Sequence, residues 1–191
     1  MSRTVCVLYG LNEGQAMGRK FADACVHAGF NLVRDPAAAD IIFAHSGGCL
    51  LVPADNQARL IVMAGLPYWP GRPWLVCLAT KVRREFRLYR RQHRLRQWAR
   101  KWTYHLHYAL NLKAGLRMAA NLGPDKPWNS AQQQVILRNR HDAICSPHIL
   151  DLPSGGPRTF ISLPGEHDDC WDNPGPYINL LQSLERYSWP T

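Results

Sequence analysis

No apolar run in this chain of 191 residues approaches the roughly 20 needed to span a bilayer. A secretory leader is not expected either: Arg3 is followed by only six suitable residues, Thr4–Tyr9, before Gly10-Leu11-Asn12-Glu13 interrupts them. The six cysteines (6, 25, 49, 77, 145 and 170) contain no C-x-x-C pair, and several lie in apolar contexts. They read as reduced, buried thiols of a cytoplasmic protein rather than as a disulfide framework. Repeats and low-complexity tracts are absent, and a hydrophobic content of 46% argues against intrinsic disorder. The charge is not evenly spread along the chain. Residues 81–117 hold twelve Lys and Arg but a single acid, Glu85, a local balance of +11; the rest of the chain has eleven bases and thirteen acids. The formal +9 that first suggests a nucleic-acid binder therefore belongs to one segment of a slightly acidic domain.

What is present fits one domain spanning 1–191. Short apolar runs at Thr4–Tyr9, Phe30–Arg34, Ile41–Ala44, Leu60–Ala64, Val135–Arg138 and Thr159–Leu163 read as six strands. Between them, Gly14–Ala28 and Gly175–Tyr187 have helical periodicity, Gly47–Val52 starts a helix that Pro53 ends, and Asp35–Asp40 is a linker or single turn. Near-continuous apolar strands alternating with helices imply an α/β fold, a mostly parallel sheet of about six strands with helices on both faces. An insertion of about seventy residues, 66–133, separates the fourth and fifth strands. Its apolar positions at 82, 86 and 89, then 95, 98, 102, 106 and 109, follow helical spacing among the arginines. They predict two helices, or one broken helix, capping one end of the sheet.

The chemistry concentrates at three strand ends. Ile41–Ala44 runs into His45-Ser46-Gly47-Gly48, a small-x-Ser-x-Gly turn that lifts a serine hydroxyl off the sheet's carboxyl edge. The Gly47 N–H at the following helix start faces the place where an oxyanion would develop. A serine needs a base, and the base an orienting acid. Asp142 follows the fifth strand and His167 the sixth, both in loops at the carboxyl edge where open α/β sheets bind ligands. Asp168 and Asp169 are competing acids, and His141 and His148 competing bases; sequence neighbours of a histidine seldom point back at its ring, and neither competing histidine follows the final strand. His45, beside the serine, reads as packing or as support for the site and is also a candidate for contacting substrate; Tyr9 reads as lining its mouth or packing with a wet hydroxyl.

These residues together resemble the α/β-hydrolase superfamily, the serine hydrolases that include bacterial lipases and esterases. Ala44-His45-Ser46-Gly47-Gly48 is similar to the A-H-S-x-G form of its nucleophile motif. Asp142 with Ala-Ile-Cys-Ser-Pro147 resembles its acid loop, with Asn139 in place of the usual glycine, and Gly165-Glu166-His167 matches its G-x-H loop. The resemblance covers residues 4–187, lacks the family's first two strands, and implies Ser46, His167 and Asp142 as nucleophile, base and acid. Where the family has His-Gly after an early strand this chain has Tyr9-Gly10-Leu11, so Leu11 inherits the second oxyanion-hole amide. The implied activity is cleavage of a carboxylic ester or thioester without a cofactor.

Two other readings are poor. His105-x-His107 does not share a helix face and lacks companion ligands, so no metal is expected. Glycines 10, 14 and 18 are spaced G-x3-G-x3-G rather than as a dinucleotide loop, which suits a closely packed first helix. The basic segment leaves several uses open beside a plain solvated face. It can hold an anionic substrate such as a coenzyme A thioester, dock an acidic carrier protein, or lie on anionic membrane lipid, with Phe86, Tyr89, Trp98 and Trp102 supplying an apolar side. Trp98 and Trp102 are also candidates for contacting substrate. Nucleic acid is disfavoured because no recognition motif accompanies the charge. The alternative to an enzyme is a non-catalytic binding module on a hydrolase scaffold, engaging an acidic partner through these arginines.

Overall fold

The computed structural model describes residues 3–10, 16–53, 56–66, 74–100, 102, 133–142 and 158–186, with the backbone alone at 74–78, 81 and 158. Six strands, β1 (Arg3–Leu8), β2 (Phe30–Val33), β3 (Ile41–His45), β4 (Leu60–Ala64), β5 (Gln133–Asn139) and β6 (Arg158–Leu163), form one sheet in the order β2-β1-β3-β4-β5-β6. Every neighbouring pair is parallel. Consequently the carboxyl ends of β3, β5 and β6 open onto the same edge, as the three strand-end loops require.

The period of two along each strand divides the core. Ile41 and Phe43 of β3, Val62 and Ala64 of β4, and Val135 and Leu137 of β5 face one side, packed with Phe21, Cys25, Trp171, Tyr177 and Leu181. Those partners come from α1 (Arg19–His27), α3 (Asp169–Asp172) and α4 (Gly175–Arg186). Ile42, Ala44, Ile61, Met63 and Ile136 face the other side, where Cys49, Leu50, Val52 and Leu66 meet them. β3 and β4, at the sheet's centre, are buried at all five positions, which is why they read as unbroken apolar runs. Cys6, Cys25, Cys49 and Cys170 are free and buried.

Two expected helices are shorter than their sequence signal. The segment after β3 is a 3-10 helix, Ser46–Leu51, because two glycines open it and Pro53 closes it within two turns. α1 begins at Arg19, after a turn at 16–18. Gly18 lies directly under the Tyr9 ring, where a Cβ would sit 3.0 Å from Cζ, so close packing explains this glycine. Residues 14 and 15 lie outside the described residues.

Within the basic insertion, α2 (Trp74–Arg91) is followed by a reversal at 92–94 and a helical stretch at 95–100. Two helices are therefore present in its described part. The remainder, including the expected helical positions 106 and 109 and the end near Gly123–Pro124, lies outside the described residues. Among the described residues no helix is long and apolar enough to cross a membrane.

Candidate active site

Ser46 leaves β3 with φ at +51°, a left-handed conformation that non-glycine residues adopt at a cost. It is the only residue of 41–50 that is not buried. The strained turn thus carries one hydroxyl out of a close-packed surround. Gly48 shows why the turn demands small residues: a Cβ there would lie 2.7 Å from the Leu8 carbonyl carbon and 2.9 Å from that of Tyr9. Gly47, buried beside it, supplies a backbone N–H at the start of the 3-10 helix.

The structure brings Asp142 and His167 together. His167 Nδ1 donates to Asp142 Oδ2 at 2.8 Å, with the two side chains 0% and 5% exposed. This bond fixes the tautomer and leaves the Nε2 lone pair free to accept a proton. Nε2 is buried and receives no hydrogen bond from any described residue. Ser46 and His167 are therefore not hydrogen-bonded to each other, an arrangement often seen before substrate tightens such a site.

Backbone bonds hold the two loops side by side. Arg140 N–H donates to Leu163 O and His141 N–H to Gly165 O, both at 2.9 Å. Asn139, 3% exposed, works between them: its Nδ2 donates to Glu166 O at 2.5 Å, and its Oδ1 accepts from the Tyr177 hydroxyl at 2.8 Å. Burial, chiefly, pushes the Tyr177 hydroxyl's pKa well up, which keeps it a donor. Where the resemblance has a glycine, this chain has a side-chain clamp. Gly65, just after β4, approaches from the other side with φ at +59°. A Cβ on it would lie 2.8 Å from His167 Cε1, 3.0 Å from Nδ1 and 3.5 Å from Asp142 Oδ2. Neither role was visible beforehand; a glycine closing an apolar strand at the carboxyl edge was the only available signal.

His45 is fully buried and its Nε2 donates to the backbone carbonyl of His167 at 2.8 Å. Its ring lies 4.7 Å from that of His167 and 5.0 Å from Trp171. It supports the histidine loop from within. Tyr9 is half-buried on the α1 side, stacked 5.4 Å from Trp171, and burial raises its hydroxyl's pKa. The contacts described for Trp98 are with Phe86 and Trp102, and Trp102 Nε1 donates to Glu85 at 3.0 Å. They form the seam between α2 and the following helix. Leu11 lies outside the described residues. One ring nitrogen each from His45 and His167 and an oxygen of Asp168 fall within 4.8 Å of one another.

No protein-family model matches the sequence, and no match was found among the curated proteins. Solved structures do match. An α/β-hydrolase enzyme from a Medee basin deep-sea metagenome superposes with a TM-score of 0.65 at 13% identity, covering 100% of this chain and 91% of its own. An enol-lactonase from Burkholderia xenovorans gives 0.61 at 10% identity, covering 97% and 92%. An esterase from Pyrococcus furiosus gives 0.58 at 11%, covering 98% and 83%. With its six-stranded parallel sheet, the chain has the α/β-hydrolase fold.

Proposed function

We propose that this protein is a serine hydrolase that cleaves a carboxylic ester or thioester through an acyl-enzyme. What supports this reading is a strained, partly exposed Ser46 at the end of β3 together with a buried His167 whose Nδ1 is held by Asp142 and whose Nε2 has no partner among the described residues. Structural neighbours that are an esterase and an enol-lactonase support it. Ser46 Oγ attacks the acyl carbonyl as His167 Nε2 takes its proton. The N–H groups of Gly47 and Leu11 hold the tetrahedral oxyanion. Collapse breaks the bond to the alcohol or thiol, which leaves with the proton from His167. Water then attacks the acyl-serine by the same steps in reverse, releasing the acid and restoring Ser46. Tyr9, Trp98 and Trp102 are proposed to contact substrate, and 66–133 to act as a basic helical cap on a single domain.

A fluorophosphonate probe tests the reading on the intact chain. Ser46 is expected to be labelled, and Ser46→Ala to lose labelling together with at least about a thousandfold of p-nitrophenyl ester turnover. Folded protein that leaves Ser46 unlabelled overturns it. The second reading, a binding module on a hydrolase scaffold, is favoured by one observation: six exposed arginines between 83 and 96 with no carboxylate partner among the described residues. It would be supported by full biological function in Ser46→Ala.

A further inference from the structure

The helix pair formed by α2 and residues 95–100 has two faces of different character. Inward, Phe86, Trp98 and Trp102 pack in a chain, their neighbouring ring centroids 5.1 and 6.5 Å apart, and Arg84 pairs with Glu166 beside the histidine loop. Outward, Arg83, Arg87, Arg90, Arg91, Arg94 and Arg96 are all exposed. Interleaved with them are Leu88 at 51% exposure and Leu95 at 41%, two of the six exposed large apolar side chains among the described residues. At the tip, where the chain reverses, a concavity of about 580 Å³ is lined by Arg90, His93, Arg94, Leu95, Arg96 and Gln97.

We propose that this hairpin tip docks the protein onto an anionic phospholipid surface. Guanidinium groups bind phosphate in bidentate fashion, and a dense arginine field with one nearby acid is complementary to a headgroup layer of negative charge. Charge alone would serve a nucleic-acid backbone equally well. The exposed leucines decide between them. Leu88 and Leu95 would remain stranded in water against a phosphate backbone, whereas at a bilayer they enter the boundary between headgroups and acyl chains. The tip concavity, walled by three arginines, a histidine, a glutamine and a leucine, is complementary to one anionic headgroup with the top of its chains. The inference rests on the hairpin and stands apart from catalysis by Ser46.

Flotation of the full chain with vesicles tests it. Binding is expected to vesicles of phosphatidylcholine containing phosphatidylglycerol, to be absent with phosphatidylcholine alone, and to weaken as salt rises. Each arginine at such a surface contributes about fivefold to partitioning, so Arg87, Arg90, Arg91 and Arg94 all changed to Glu should reduce binding by more than about a hundredfold. Leu88→Ser with Leu95→Ser, both at exposed and therefore structurally tolerant sites, should weaken vesicle binding severalfold while leaving binding to a short DNA duplex unchanged. Ser46→Ala should bind vesicles like the unaltered chain. No binding to anionic vesicles overturns the proposal. So does binding that ignores the two leucine changes and is matched by the duplex, which would make the face a general polyanion surface.

Discussion

At Gly65 the backbone turns out of β4 in the left-handed region, and the space a side chain would need is taken by the His167 ring. Two independent penalties therefore meet at one position. A Cβ there carries the left-handed cost of about 1–2 kcal/mol, and it also pushes on the ring edge that carries the Asp142 hydrogen bond. Gly65→Ala is expected to lower stability by about that amount and ester turnover by more than about tenfold. A melting curve beside a rate measurement checks both, and unchanged turnover would show that the pair does not depend on this contact. Ser46 occupies the same backbone region with a side chain that the proposed chemistry needs. Strain at Ser46 is therefore retained with a use, whereas at Gly65 the absence of a side chain relieves it.

At the scale of elements, the end of α2 shows strain without an assigned use. Arg94 N–H bonds to Tyr89 O at 2.8 Å and His93 N–H to Arg90 O at 3.1 Å, the paired bonds of a Schellman cap, with His93 at φ +54° in the position that glycine usually fills. His93→Gly removes the left-handed penalty and should stabilise the hairpin by up to about 1 kcal/mol, read as a rise in melting temperature. No rise would mean that the His93 ring supplies compensating contacts. This turn was legible only as a gap between apolar residues 89 and 95, because local spacing marks a break without its geometry. Strands were far more legible, since an apolar run buried on both faces leaves a continuous signature. The elbow at Ser46 was legible for a related reason: close backbone approach forces small residues at fixed offsets, and Gly48 carries that demand in its own identity. Asn139 was not. Its role arises from a carbonyl 27 residues away and a hydroxyl 38 residues away, and nothing near it in sequence records either partner.

For the molecule as a whole, Asp40 and Cys25 contribute to stability at opposite ends of the pH range. Asp40 accepts from the Thr4 N–H at 3.0 Å and the Thr4 hydroxyl at 2.9 Å, with the Arg59 guanidinium 3.9 Å away. The Thr4 backbone bond above all, reinforced by that hydroxyl, Arg59 and Arg3, holds its carboxyl below the ordinary 3.8. A depressed carboxyl stabilises the fold above its unfolded value and loses that contribution as pH falls through the folded one, so Asp40 steepens the acid limb. Cys25, on the core face of α1, behaves in the opposite sense. Burial pushes its thiol from 9.0 to about 12, so its contribution is complete below 9.0 and is lost progressively as pH rises toward 12. One such group can add at most about 1.4 kcal/mol of lost stability per pH unit. Denaturant titrations across the range should therefore show a plateau falling away on both sides. Asp40→Asn should make the acid limb alone shallower, and Cys25→Ala the alkaline limb alone, where Cys6, Tyr9 and Tyr177, also raised by burial, continue to contribute; the latter starts from a plateau lowered by the small cavity it leaves. Both groups sit on the slightly acidic sheet domain, outside the +11 segment, so these limbs should survive the reversal of the hairpin arginines that abolishes vesicle binding. Limbs that moved with those arginines would mean that the cap's charge, and not the surroundings of Asp40 and Cys25, governs the pH range of the fold.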